Sequence, residues 1–249
     1  MTERIAKVLA RAGMCSRREA ERWIAQGRVA VDGTVLTSPA RDVDDGNVIE
    51  VDGKPLPERD MTRLFRYNKP AGLVTTHKDE QGRPTVFEKL PAGLPRLISV
   101  GRLDLNSEGL LLLTNDGGLS RELELPARGW VRRYRVRVHG TVTKAQLAPL
   151  AKGVAVEGVE YGPIEATLDR VQGANAWVTM SLREGRNREI RKVMASLGLD
   201  VTRLIRLAYG PFMLGDLPRG AVAEVPRGVM RAQLGRELVP PHAHHRRQA

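Results

Sequence analysis

Four consecutive leucines, Leu110 to Leu113, form the most apolar run in the chain. A run this short, closed by the turn-forming Asn115-Asp116-Gly117-Gly118, reads as a buried strand. A core has to be built around it. The stretch that leads into it is "GRLDLNSEG", so Asp104 sits in the loop entering a core strand, with Arg102 two residues before it. Packing does not ask for a carboxylate there. Two readings stand side by side: a turn Asp that bonds nearby backbone, and a carboxylate placed for chemistry.

The chain has 249 residues, of which 41% are hydrophobic, enough for one large domain or a small one and a medium one. From Arg63 to about Pro226, strand-like runs alternate with short helical ones. "RLFRYNK", "GLVTT", "GLLLLT", "RRYRVRVHG", "IEATLDRV" and "AWVTMSLR" read as strands, and "TKAQLAPLAKG" and "NREIRKVMASLG" as helices. Strands neighbour strands, which predicts an α+β fold on a mainly antiparallel or mixed sheet with flanking helices. In "RRYRVRV", alternation puts Arg133, Arg135 and Arg137 on one face and Tyr134, Val136 and Val138 on the other. A linker is expected around "GKPLPERDMT", which gives domains at 1–60 and 61–226. A basic, disordered tail is expected over 227–249.

The first 30 residues predict two short helices. Ile5, Val8, Leu9 and Ala12 share a face of the first, which Gly13 ends. Ser16 and Glu19 form a capping box that opens the second, which buries Ala20, Trp23 and Ile24 and stops at Gly27. "RVAVDGTVL" and "NVIEVDGKPL" follow as strand-turn pieces with Asp-Gly turns. Residues 1–30 hold seven basic residues against three acidic ones. Arg4, Lys7, Arg11, Arg17, Arg18, Arg22 and Arg28 thus gather on the helical pair. They are either a solvated helix face or a nucleic-acid contact surface.

The net charge of +11 points to a polyanionic partner. Past residue 60, Arg far outnumbers Lys, which favours bidentate phosphate contact. The one cysteine, Cys15, excludes an internal disulfide and a multi-thiolate zinc site. Three of the five histidines lie in the tail, which leaves little for histidine acid–base chemistry. There is no Walker-type loop, no dinucleotide fingerprint and no H-E-x-x-H. Neither a secretory signal nor a membrane span is evident, and a cytoplasmic protein is expected. A carboxylate-driven reaction without cofactor or metal fits these absences.

Two resemblances sharpen the reading. The basic helices followed by "GRVAVDGTVL" and "VDDGNVIEVDG" are similar to the alpha-L RNA-binding motif found in a small-subunit ribosomal protein and in RNA-modifying enzymes. "GRLDLNSEGLLLLTNDG" resembles the catalytic-loop motif of pseudouridine synthases that modify ribosomal RNA and carry an alpha-L domain. "YNKPAGLVTTHKDEQGRPTVFEKLP", "RRYRVRV" and "LREGRNREIRKVMASLGLDVTRLIRLAYGPF" resemble, in order, the same family's other motifs.

The resemblance implies a pseudouridine synthase fold and cofactor-free isomerisation of uridine in ribosomal RNA by a monomer. The match is closest to the large-subunit type; the small-subunit type shares the architecture. Asp104 becomes the reacting carboxylate, attacking the sugar or the base or removing a sugar proton. Tyr134 stacks on the base and helps with the proton on carbon five. Arg191, by motif position, is the buried partner that keeps the acid ionised, since desolvation would otherwise protonate it. Arg102 fills the stack vacated by the flipped nucleotide or holds its phosphate. Arg183, Arg186 and Arg188 contact the backbone. Lys69, from the first motif, and Ile190 join the substrate-binding set. Two rivals of other classes remain: a non-catalytic ribosome-assembly protein and a DNA-binding regulator.

Overall fold

The computed structural model describes residues 2–57, 60–235 and 238–239. The chain divides into two compact units. The first takes residues 1–62 with 93–98 and 115–117, and the second takes 63–92, 99–114 and 118–249.

In the first unit, β1 (Glu3–Arg4) leads into α1 (Ile5–Arg11) and α2 (Arg17–Ala25). The capping box is formed: the Ser16 hydroxyl accepts from the Glu19 N–H at 3.2 Å, and Glu19 returns the contact to the Ser16 N–H at 3.4 Å. Strands β2 (Val29–Val31), β3 (Thr34–Val35), β4 (Asp42–Val43), β5 (Ile49–Val51) and β6 (Lys54–Pro55) follow. They form a sheet in the order β3-β2-β5-β6, with β4 paired to β1. Asp32 and Asp52 take positive φ ahead of Gly33 and Gly53, which closes both hairpins as the Asp-Gly steps require. Ile5, Leu9, Ala20, Ile24, Val29 and Val51 make the core. Cys15 packs into it, and burial pushes its thiol up to about 11, so it serves as a small apolar group.

The second unit is built on β7 (Leu64–Lys69), β8 (Ile98–Val100), β9 (Ser107–Thr114), β10 (Arg132–His139), β11 (Val154–Val156), β12 (Val159–Tyr161), β13 (Ile164–Gln172), β14 (Asn175–Leu182), β15 (Asp200–Tyr209), β16 (Phe212–Met213) and β17 (Val222–Glu224). Its helices are α3 (Gly117–Glu124), α4 (Lys144–Leu147), α5 (Glu189–Ser196) and α6 (Arg227–Leu234). The main sheet runs β13-β14-β10-β15-β9-β7-β17, and only β15 and β9 are parallel. Two cores lie along it. One, centred on Val136, Val178 and Met180, is closed by Ile190, Val193 and Met194 of α5. The other, centred on Leu64, Leu110 and Leu112, is closed by Leu119, Leu123 and Met230.

All eight residues of β9 are buried, so the leucine run is the middle of a longer central strand. The α+β fold with a mostly antiparallel mixed sheet is the observed one.

Three local expectations change. "GLVTT" is not a strand: Gly72 takes φ +88°, and Val74 makes a single bridge to Thr85. The turn after β9 runs directly into α3, whose Leu119 and Leu123 are buried. The tail expected from Arg227 begins as α6, and Met230, Leu234 and Val239 pack into the second core. An amphipathic helix with an apolar face to bury orders that segment. The rest of the tail, including its three histidines, lies outside the described residues.

Candidate active site

The loop that carries Asp104 is fixed from below. Lys69 ends β7 with 0% exposure. Its Nζ donates to the carbonyls of Asp104 at 3.1 Å, Leu105 at 3.3 Å, Ser107 at 2.8 Å and Pro70 at 3.1 Å. Burial lowers its pKa to about 8, against the opposing pull of Asp104 and Glu108. Lys69 is therefore not a substrate contact; it clamps the backbone of the Asp104 loop. The "GLVTT" segment braces the same loop from the side. The Gly72 N–H donates to the Leu105 carbonyl at 2.8 Å, and the Thr75 hydroxyl donates to the Leu103 carbonyl at 2.8 Å. At the far end, Gly109 takes φ +95°, and any Cβ there would run into the backbone of Arg206. Glycine is thus required where β9 meets β15.

So held, Asp104 opens into a cleft of about 1010 Å³. The cleft is also lined by Arg102, Arg132, Tyr134, Arg186, Arg188, Ile190, Leu204, Arg206 and Tyr209. Tyr134 stands opposite Arg206 in the β10–β15 register, and its ring is buried. Ile190 and Leu204 supply an apolar wall. Arg102 is exposed at the rim.

The Asp104 side chain keeps 37% exposure, so the acid is not sealed in a dry pocket. Its direct ion-pair partner is Arg188, with Nη1 3.9 Å from Oδ2. Arg188 caps α5 with φ +54°, the left-handed region that a non-glycine residue occupies at a cost. Arg191, the partner expected from motif position, is half-buried one turn further along. It donates to the carbonyls of Val201 at 2.9 Å and Asn106 at 3.2 Å. Burial lowers its pKa, the nearby Arg188 lowers it further, and Asp104 acts in the opposite sense. Two guanidinium groups therefore share the field of the one carboxylate. Among the described residues only Arg188 pairs with it; Nη1 and Nη2 of Arg191 are held by main-chain oxygens.

The other basic residues separate. Arg186 lines the cleft, beside Glu184 at 2.9 Å. Arg183 is not among the lining residues; its guanidinium donates to the Gly129 carbonyl. In the first unit, Arg4 pairs with Asp42, Lys7 and Arg11 with Glu3, and Arg28 with Asp52. Arg17, Arg18 and Arg22 stand exposed on α2. The basic face expected on both helices thus narrows to α2, because the acids of the same unit neutralise the rest.

Sequence reasoning missed three features of the cleft. Arg132 and Arg206 flank the Tyr209 ring, 4.9 and 5.0 Å from its centre. Glu189, the first residue of α5, is 3% exposed and lines the cleft, and burial raises its pKa. The clamping role of Lys69 had a signal: β-alternation puts it on the face of Phe65 and Tyr67, both buried.

The geometry is that of a carboxylate on a braced loop, facing a basic, aromatic-lined cleft. Comparison with known proteins gives it a family. A model described as RNA pseudouridylate synthase matches residues 63–196, and one described as S4 domain matches residues 3–49. A Rickettsia felis protein named as an RNA pseudouridine synthase is 48% identical, over 90% of this chain and 96% of its own length. Ribosomal large subunit pseudouridine synthase B of Haemophilus influenzae is 44% identical, over 90% of this chain and 64% of that protein. A solved pseudouridylate synthase structure superposes with a TM-score of 0.62 at 27% identity, covering 90% of this chain and 96% of the other. The chain belongs to the RNA pseudouridylate synthase family and carries an S4 domain ahead of the catalytic unit.

Proposed function

We propose that this protein converts uridine to pseudouridine in large-subunit ribosomal RNA, with the Asp104 carboxylate as the reacting group. The observation that carries the reading is the braced Asp104 loop, whose backbone is fixed by Lys69, Gly72 and Thr75 while its carboxylate faces the open cleft. Similarity to large-subunit synthases of Haemophilus influenzae and Pasteurella multocida, each at 44% identity, supports the choice of RNA. With that substrate, the cytoplasm is the site of action.

The chemistry balances without a cofactor. The bond from ribose C1′ to base N1 breaks, the base turns, and a bond from C1′ to C5 forms. C5 loses a proton and N1 gains one. Tyr134, which lines the cleft, offers a platform for the flipped base, and its hydroxyl takes part in the proton step. Arg188 pairs with the carboxylate, and Arg191 lies close enough to feel its charge. Arg102 at the rim takes the space or the phosphate of the flipped nucleotide, and Arg186 contacts the backbone. The three free arginines of α2 give the S4 domain its phosphate contacts.

Purified protein incubated with unmodified large- and small-subunit RNA, followed by mapping of pseudouridine, tests the assignment. New pseudouridine in the large-subunit RNA is expected. Modification confined to the small-subunit RNA would overturn the choice of substrate, and modification of neither would overturn the activity.

A further inference from the structure

The strands that build the cleft have a second face. On β10, Arg133, Arg135 and Arg137 point away from the core side that holds Tyr134, Val136 and Val138, and all three are exposed. Their neighbours in register are Ser181, Thr179 and Trp177 on β14, and Ala208, Ile205 and Arg203 on β15. One row crosses four strands as Arg170, Trp177, Arg137 and Arg203.

The acids on this face are committed elsewhere or stand at its edge. Glu108 holds Arg203 through two bonds at 2.8 and 2.9 Å. Asp169 accepts from the Thr179 hydroxyl at 2.8 Å, and Glu165 sits on the outer strand β13. Among the described residues, no ion pair reaches Arg133, Arg135 or Arg137. Three arginines elsewhere that also reach solvent are answered by an acid: Arg28 by Asp52, Arg63 by Glu224, Arg83 by Asp79.

Three like charges on alternate residues of one strand recur about every 6.8 Å. No carboxylate stands directly opposite any of the three to relieve their repulsion, which opposes folding. Arg135 lies 4.7 Å over the Trp177 ring, which anchors its guanidinium without using its N–H donors. A row of three unpaired forks, the middle one anchored, is suited to a run of phosphates.

We propose that this back face is a second RNA-binding surface, which takes backbone phosphates of the substrate at a point remote from the target uridine. The proposal rests on the pseudouridine synthase reading and adds the class of substrate. Tyr134 and its neighbours Arg133 and Arg135 leave the same strand on opposite sides. An RNA that fills the cleft and this face must pass around the sheet, so the full substrate is a large folded RNA rather than an isolated hairpin.

The test compares wild type with the R133Q/R135Q/R137Q variant on two RNAs, a hairpin containing the target uridine and full-length large-subunit RNA. Each phosphate contact contributes about 0.7–0.9 to the slope of log affinity against log salt. For the full-length RNA, the variant should bind at least about tenfold more weakly and lose about 2 from that slope. On the hairpin, kcat/KM should stay within about twofold. Unchanged affinity and slope on full-length RNA would overturn the proposal, as would an equal loss on both RNAs. A wild-type protein that modifies neither RNA would instead overturn the enzyme reading. Should the triple variant melt early, the triple Lys variant and Arg135→Gln replace it. The Lys variant is expected to keep the slope and the single Gln variant to lose about one contact; equal slopes in wild type and both variants contradict the proposal.

Discussion

A lysine ammonium with no exposed surface is costly to desolvate, and Lys69 is kept in that position by four carbonyls of the chain that carries Asp104. Replacing it with Met removes the charge and its desolvation cost together, and leaves those carbonyls without a donor. The two changes oppose each other in stability. They do not oppose each other in catalysis, because loop position alone matters there, and a displacement of 1 Å typically costs about 100-fold. Lys69→Met should therefore keep RNA affinity, since the side chain is inaccessible, and lose about 100-fold in kcat. A fall confined to KM would mean that Lys69 touches RNA. At this scale, position alone left Asp104 between a turn role and chemistry, and the resemblance to the catalytic-loop motif singled it out; the structure sets it on the cleft wall. The Arg188 pairing was not legible, since residues 188 and 191 lie one turn apart and motif position does not say whose fork the backbone occupies.

Helix α5 brings its own titration into the cleft. Glu189 Oε1 has no hydrogen-bond partner among the described residues, and the other carboxylate oxygen accepts from the Arg186 N–H at 3.1 Å. Burial raises its pKa first; Glu184 raises it too, while the Arg186 N–H bond and the charges of Arg186 and Arg132 lower it. An acid whose native pKa lies above its unfolded value contributes stability below the unfolded pKa, and that contribution is lost as pH rises through the native one. Glu189→Gln mimics the protonated form. Its thermal stability should match wild type in mild acid and exceed it by about 1–3 kcal/mol once the wild-type acid is charged. Parallel melting curves across pH would show that Glu189 titrates as an ordinary surface acid.

Elements with a strong local signal were readable. The capping box fixed the start of α2, and strict alternation fixed β10. The segment at Gly72 failed because its Gly72 N–H and Thr75 hydroxyl bond the Asp104 loop and not a neighbouring strand, and α6 failed because a basic tail hides two buried residues, Met230 and Leu234.

At the scale of the whole molecule, the basic charge is divided by function. In the S4 domain, acids of the same unit take up Arg4, Lys7, Arg11 and Arg28 and leave Arg17, Arg18 and Arg22 free for RNA. In the second unit, arginines gather at the cleft that Asp104 also lines. Sequence composition gave the sign of the partner, but the pairing that decides which arginines are available depends on contacts distant in the chain. On the proposed mechanism, Asp104 performs the chemistry and does not hold the RNA. Asp104→Asn is nearly isosteric, keeps the loop carbonyl that Lys69 binds, and removes the negative charge from a site facing phosphate. Filter binding and pseudouridine mapping on this one variant decide the matter. The account predicts RNA binding as tight as wild type or tighter, with no pseudouridine formed; isomerisation by a well-folded Asp104→Asn protein would contradict it.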